Sequence, residues 1–433
     1  MINPENRKGL LAMSVKVIVG TQFGDEGKGK AIDFLSADAD LVVRFQGGDN
    51  AGHTVINPHG VFKLHLIPCG IFRENCTCLI GSGTVVNPDV LIGEMQKLTS
   101  AGVSVQHLRV DKRAQLIMPY HIALDECMER AQGIGTTKRG IGWAYATKSL
   151  RKNLRAGDLL KPECWQEKIK DFLPLVNAQL RFFGGAEIQE NSLLLQLRQW
   201  ADALSPYICD GFSLIHDYIS ADKRILFEGQ LGTMKDIDLG IYPFVTSSNP
   251  IAAYAAVSGG FPASKIDSVC GVVKAFSSTV GAGPFPTEIT ENAEMLRGSG
   301  ENPDDEFGAT TGRARRVGWL DLPMIRFSHA VNGLGELILT KLDKLDGLKT
   351  IRLCTGYTLD GEALSGMPGT DELYRVHPVY EDFPGWQSDT TTCTTYSDLP
   401  ENAKRYVECI EAQVGVPVRY IGNGPARENM ISR

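Results

Sequence analysis

Val15-Lys16-Val17-Ile18-Val19-Gly20-Thr21-Gln22-Phe23-Gly24-Asp25-Glu26-Gly27-Lys28-Gly29-Lys30 is the stretch on which the reading of this chain turns. Val15 to Val19 is a short, nearly unbroken apolar run, the pattern of a strand buried on both faces of a parallel sheet. Four glycines follow within ten residues, and Ala31-Ile32-Asp33-Phe34-Leu35 resumes with helical character. Strand, glycine-rich turn and helix together present free backbone N–H groups at a helix N-terminus, where a phosphate is welcome. Gly24 to Lys30 fits the first seven places of G-x-x-x-x-G-K-[ST], but Ala31 stands where the magnesium-binding hydroxyl belongs, so another group must hold the metal. Asp25 is unusual, because a carboxylate in a phosphate cradle repels the ligand unless it binds a cation or does acid–base work. A tight turn with a solvated acid is the bland alternative; the density of Gly, Lys and Asp argues against it.

Working outward, 433 residues allow one large domain or two to three smaller ones. Strands recur among helices from end to end, which favours a single α/β domain at 15–433 with insertions, after an N-terminal extension at 1–14. No apolar run approaches the ~18 residues of a membrane helix, and the N-terminus has no clear cleavage site, so a cytoplasmic protein without membrane partner is expected. A net charge of −7 argues against broad nucleic-acid binding. The ten cysteines show no C-x-x-C and the eight histidines no H-x-x-x-H, which makes buried reduced thiols the expectation and a zinc site improbable.

Leu41 to Phe45 reads as a second buried strand, followed by the loop Gln46-Gly47-Gly48-Asp49-Asn50-Ala51-Gly52-His53-Thr54, with Asn50 and His53 as polar tips. A lone loop histidine is usually structural; beside a first glycine-rich loop at the same sheet edge, a functional role is the better reading. Leu64 to Pro68 and Cys78 to Gly81 look like further strands, and Asn87 to Leu98 like a helix. Gly133 to Arg155 reads as a long polar loop with Thr136, Thr137, Lys138, Arg139 and Arg151, able to bind an anion or merely to be solvated. A strand at Ile225 to Glu228 leads into Gly229-Gln230-Leu231-Gly232-Thr233, and Thr246-Ser247-Ser248-Asn249 can cap a helix or hold a phosphate. Further on, Gly308-Ala309-Thr310-Thr311-Gly312-Arg313-Ala314-Arg315 suits a carboxylate or phosphate. Leu337 to Asp343 reads as a strand ending in Lys-x-Asp, whose carboxylate matches the two adjacent donors of guanine. Val416 to Ile421 reads as the last strand, before Gly422-Asn423-Gly424-Pro425.

Taken together, these motifs closely resemble the adenylosuccinate synthetase family, over about residues 15 to 431. The resemblance implies an α/β fold with a large mixed, mostly parallel central sheet flanked by helices and a P-loop-like GTP site. It also implies a magnesium-dependent homodimer that joins IMP and L-aspartate at the expense of GTP. Asp25 would take the N1 proton of IMP, with His53 and Lys28 supporting phosphoryl transfer, and Asp25 and the carbonyl of Gly52 would hold Mg2+. GTP would contact Gly24, Asp25, Glu26, Gly27, Lys28, Gly29, Lys30, Gly52, His53, Thr54 and Arg315, with Lys341, Leu342, Asp343, Gly422, Asn423 and Gly424 toward the guanine side. IMP would contact Asp25, Glu26, Gly27, Lys28, Asn50, Ala51, Gly52, His53, Thr137, Gln230, Leu231, Thr246 and Arg313, with Arg151 supplied by the other subunit. Ala309, Thr310, Thr311, Gly312, Arg313, Ala314 and Arg315 would form the aspartate-binding loop.

Departures from the family pattern are informative. Glu228-Gly229-Gln230-Leu231 stands where the family usually reads Glu-Gly-Ala-Gln/Asn, so an apolar side chain replaces an amide near the base. One expectation is that Gln230 supplies the amide from one residue earlier. The alternatives are a relative that uses another 6-oxopurine nucleotide, or a GTP-dependent switch, which would need neither His53 nor an aspartate loop.

Overall fold

The computed structural model describes residues 14–133, 135–302, 304–308 and 312–433. Ten strands form its central sheet: β1 (Val15–Gly20), β2 (Leu41–Arg44), β3 (Thr77–Ile80), β4 (Leu108–Asp111), β5 (Ile208–Cys209), β6 (Ile225–Gly232), β7 (Ser268–Lys274), β8 (Glu336–Thr340), β9 (Val418–Gly422) and β10 (Met430–Ser432). They lie in the order β10-β9-β8-β7-β1-β6-β2-β3-β4-β5, and every neighbouring pair is parallel except β9 with β10. The first apolar run is thus nearly central. Side chains alternate across a strand, so Val15, Val17 and Val19 enter one apolar core while Ile18 enters the other, on the opposite face. A strand buried on both faces needs an unbroken apolar run, and that is how β1 reads.

The order places the loops after β1, β2, β6 and β8 at one edge of the sheet, where a doubly wound fold binds its ligands. Register fixes the chemistry as well. Glu228 of β6 is the Cα partner of both Ile18 and Arg44, which sets a carboxylate beside a guanidinium in the sheet itself.

Several local expectations are corrected. The 133–155 segment is not all loop: Ile141–Ser149 is a helix, because Ile141, Ala144 and Thr147 recur at helical spacing and are buried, with the basic residues left outside. Leu64 closes a strand, Gly60–Leu64, that pairs antiparallel with His53–Asn57. His65, Leu66 and Ile67 do not continue it, since the Glu94 carboxylate accepts from all three backbone N–H groups. β6 continues through Gly232 instead of ending at Glu228, and β9 is followed by the antiparallel β10. Thr246 to Asn249 caps no helix; Ser248 donates to Gln46 and Asn249 to Asp236 and Asp238.

Candidate functional site

The loop after β1 is built around positive backbone angles. Gly24 has φ 97° and Gly27 φ 85°, which glycine tolerates, but Asp25 between them also sits at φ 60°. A left-handed non-glycine residue is a strained feature that its surroundings must hold in place. Glu26 does the holding. Fully buried, it accepts from the backbone N–H groups of Gln22 (3.0 Å) and Gly24 (2.9 Å) and pairs with Lys28 Nζ at 2.5 Å. Its carboxylate therefore faces inward, away from any ligand. Helix α1 (Lys28–Leu35) starts from the left-handed Gly27.

Two clefts open on this loop. The first, of about 970 Å³, is lined by Asp25, Gly27, Lys28, Gly29, Lys30, Ala51, Gly52, His53 and Thr54 from the two glycine-rich loops, and by Leu231, Arg315, Lys341, Asp343 and Gly424 from across the sheet edge. The second, of about 1360 Å³, takes in Asn50, Thr137, Thr246 and Arg313. Asp25, Ala51, Gly52 and Leu231 belong to both, so the clefts meet at Asp25. Leu231 matches Asp25 in its left-handed backbone, also at φ 60°. Among the described residues, the lining of each cleft also holds buried polar atoms without a hydrogen-bond partner: Asp343 Oδ1 and Arg315 Nε in the first and Thr246 Oγ1 in the second. An unsatisfied group of that kind costs ~1–3 kcal/mol, which a polar ligand relieves.

At the back of the first cleft, His53 Nδ1 donates to Glu228 Oε1 at 2.5 Å. Arg44 Nη1 also reaches that oxygen (3.1 Å), and the backbone N–H of Cys69 donates to Oε2 (2.8 Å). Burial, then the Arg44 charge, lowers the pKa of His53. Burial alone would raise Glu228, but the hydrogen bond from His53, with Arg44 close by, brings it down to about 2. The pair is therefore a carboxylate and a neutral imidazole whose Nδ1–H is fixed, leaving Nε2 as the free nitrogen. His53, Cys69 and Glu228 lie close enough to hold a metal, yet Arg44 already neutralises the carboxylate there, so the cluster orients the histidine instead.

A second carboxylate organises the cations. Glu306 is fully buried and binds Lys274 (2.8 Å), Arg315 (2.8 Å) and Lys341 (2.5 Å). Burial would raise its pKa, but these three charges hold it well below the usual range. Arg315 also reaches Asp25, Nη2 to Oδ1 at 3.1 Å. Neither Glu228 nor Glu306 was singled out from sequence as a site residue. The only signal for Glu228 was an acid closing an apolar strand, and for Glu306 there was none in its polar loop.

Other expected residues fall elsewhere. Gln230 is corrected: it is fully buried and turned toward the 46–51 loop, not toward a cleft. Its Oε1 accepts from Gly48 N (3.0 Å), and its Nε2 donates to the carbonyls of Gly48 (2.8 Å) and Ala51 (3.3 Å). Leu231 is the residue that meets both clefts, set there by its left-handed backbone where β6 slips register against β1 between Glu228 and Gly232. Gly24, Glu26, Gly422, Asn423 and Leu342 line neither cleft; Asn423 instead donates to the carbonyls of Thr390 and Cys393. Gly312 and Ala314 are exposed beside the clefts, and Ala309, Thr310 and Thr311 lie outside the described residues. Arg151 is exposed, lines neither cleft of its own chain, and sits at φ 61° just past the helix Ile141–Ser149.

The donors suit magnesium. Asp25 and Gly52 both line the two clefts, and a carboxylate and a backbone carbonyl are the hard oxygen ligands this ion takes, few in number and leaving room for solvent and phosphate oxygens. Among the described residues no helix is long and apolar enough to cross a membrane.

Comparisons with known proteins agree with this geometry. The Adenylosuccinate synthetase family profile matches residues 17–431. Adenylosuccinate synthetase 1 of Methanosarcina acetivorans is 56% identical over 424 residues, covering 97% of this chain and 100% of the relative. That of a Thermoanaerobacter species is 45% identical, covering 97% of this chain and 99% of the relative. The solved structure of fully ligated adenylosuccinate synthetase from Plasmodium falciparum superposes with a TM-score of 0.91 at 36% identity, over 97% of this chain and all of that one. Matched along almost its whole length, in sequence and in fold alike, the chain belongs to the adenylosuccinate synthetase family.

Proposed function

We propose that the two clefts hold GTP and IMP, and that Asp25, where they meet, is the residue at which the reaction begins. The reaction is the ligation of L-aspartate to IMP, driven by GTP with Mg2+, giving adenylosuccinate, GDP and phosphate. Oxygen at purine C6 is a poor leaving group and must first be phosphorylated. Asp25 takes the N1 proton, and O6 attacks the γ-phosphorus of GTP, releasing GDP. Lys28 offsets charge on the transferring group, and His53, oriented by Glu228, presents Nε2 to it. The amine of aspartate then attacks C6 and phosphate leaves.

Asp25 and the carbonyl of Gly52 would hold Mg2+, which when bound would neutralise phosphate charge. Lys341 and Asp343 receive the guanine end, with Gly24, Gly27, Gly29, Lys30, Thr54 and Gly424 along the phosphates. Asn50, Ala51, Thr137, Thr246 and Arg313 hold IMP, and the 309–315 loop holds aspartate. A partner copy's Arg151 would reach the IMP phosphate in a homodimer. Residues 15–433 act as one unit after the 1–14 extension, in the cytoplasm.

The observation carrying this reading is the junction of a cation-lined and a hydroxyl-lined cleft at one carboxylate. GDP release measured with IMP and aspartate together, singly and absent tests it. Release should require IMP and be abolished in Asp25→Asn, where loss of a general base costs ~10²–10⁴-fold. GDP release independent of IMP would favour a switch, and faster use of another 6-oxopurine nucleotide a different acceptor. More than a tenth of wild-type kcat in Asp25→Asn would remove Asp25 from its role.

A further inference from the structure

Of the cations around the first cleft, Lys30 donates to two backbone carbonyls, and Lys28, Lys274, Lys341 and Arg315 have carboxylate partners in Glu26, Glu306 and Asp25. Among the described residues Lys235 has no carboxylate partner. It ends the short helix Thr233–Lys235 after β6 and lines the second cleft with Asp25 and Leu231. Its Nζ donates to the carbonyl of Phe244 at 2.9 Å and lies 5.5 Å from the centre of the Phe23 ring. Among the described residues no carboxylate comes within 4.0 Å of it, and Arg316, the other cation nearby, is already bound to Glu288. An ammonium has three donors, and here only one is engaged. A charge withdrawn from water without a partner is costly unless it meets an anion in use.

The reaction makes such an anion in this cleft. Once the N1 proton moves to Asp25, negative charge spreads over N1, C6 and O6 of the purine. Leu231, the neighbour at the junction, has no donor to offer it. We propose that Lys235 is a further catalytic residue, whose ammonium stabilises the purine anion formed by proton transfer to Asp25. The proposal rests on Asp25 being the base. No covalent step is added: the proton goes from N1 to Asp25, and Lys235 keeps its own.

The charged groups facing Lys235 are Asp25 and Arg316, and the cleft it lines also holds Arg313 and Asp125. Burial first, and Arg316 second, lower the Lys235 pKa to about 8, against the attraction of Asp25. The cation is therefore present in the free protein below about pH 8 and lost above it, so kcat/KM for IMP, which reports the free enzyme, should fall on the alkaline side.

The test compares wild type, Lys235→Met, Lys235→Gln and Asp25→Asn by kcat and by KM for each substrate from pH 6 to 10, with melting temperatures to establish folding. Lys235→Met should lower kcat by tenfold or more, leave KM for IMP and aspartate within threefold at pH 7, and lose the alkaline fall in kcat/KM near pH 8. Lys235→Gln keeps a donor for Phe244 without the charge and should behave the same way, which separates charge from structure. The proposal is overturned if either folded variant keeps kcat within threefold. It is equally overturned if the alkaline limb is unchanged, or if the only effect is a raised KM for aspartate, which would give the ammonium to that carboxylate. An inactive Asp25→Asn beside an active Lys235→Met refutes Lys235 alone; an active Asp25→Asn refutes the base.

Discussion

The two clefts that share Asp25 are built on opposite plans. In the first, charge is balanced within the protein: Glu306 gathers Lys274, Arg315 and Lys341, Glu26 fixes Lys28, and Lys30 donates to the carbonyls of Gly424 and Asn429. The second is lined by hydroxyls and by one lysine, Lys235, whose Nζ, among the described residues, donates to a backbone carbonyl alone. The difference teaches that phosphate-binding cations must be held in place before the ligand arrives, since several like charges packed together repel. Hydroxyls need no such restraint. A cleft lined by them can await a smaller ligand and, as proposed, a residue from a partner copy.

The largest expected effect tests the first plan. Glu306→Ala removes the carboxylate shared by three cations and should destabilise the protein by ~3–5 kcal/mol, as breaking a buried ion pair does. Chemical denaturation measures this, and a loss under ~1 kcal/mol would show that the cations do not depend on Glu306. Next, Glu228→Gln should lower kcat ~10²-fold, or ~2.7 kcal/mol of transition-state stabilisation, by replacing the charged acceptor of the His53 Nδ1–H with a neutral amide. KM for GTP should stay within about threefold, because the effect is on chemistry and not on uniform binding. A change in KM alone would make Glu228 a purely structural acid.

Gln230→Ala probes the boundary between the clefts. Because its amide is bonded to the Gly48 and Ala51 backbone, the expected result is a loss of ~1–3 kcal/mol in stability. A tenfold drop in kcat/KM for IMP without destabilisation would instead revive a direct contact with the purine. The smallest effect is assigned to Thr246→Val, which should raise KM for IMP by about tenfold or less, ~1.4 kcal/mol at most, with kcat nearly unchanged. If KM for GTP rises instead, Thr246 belongs to the other cleft and the division drawn here fails.

Much of this was legible from the chain alone. The apolar run 15–19, the four glycines after it, the loop 46–54 and Lys341-Leu342-Asp343 are local signals: period, turn chemistry and spacing lie within a few residues of one another. They sufficed for an α/β fold, a phosphate cradle and the singling out of Asp25 and His53. Basic residues misled where the pattern was mixed, so the helix Ile141–Ser149 read as loop because its buried face is only three residues wide.

Tertiary structure alone decided which groups are partners. Glu228 meets Arg44 and His53 only because β6 lies between β1 and β2, and that order is set by crossovers far longer than any motif. Glu306 serves cations 9, 32 and 35 residues away, a relation no spacing rule encodes. Gln230 and Leu231 show the same limit at single-residue scale. Sequence could say that neighbours on a strand face opposite ways, but not which of the two faces the ligand. That depended on the slip in register within β6 that leaves Leu231 left-handed, and the hydrogen bonds of Gln230 to Gly48 and Ala51 fix it, because a buried amide must go where its donors and acceptors are satisfied.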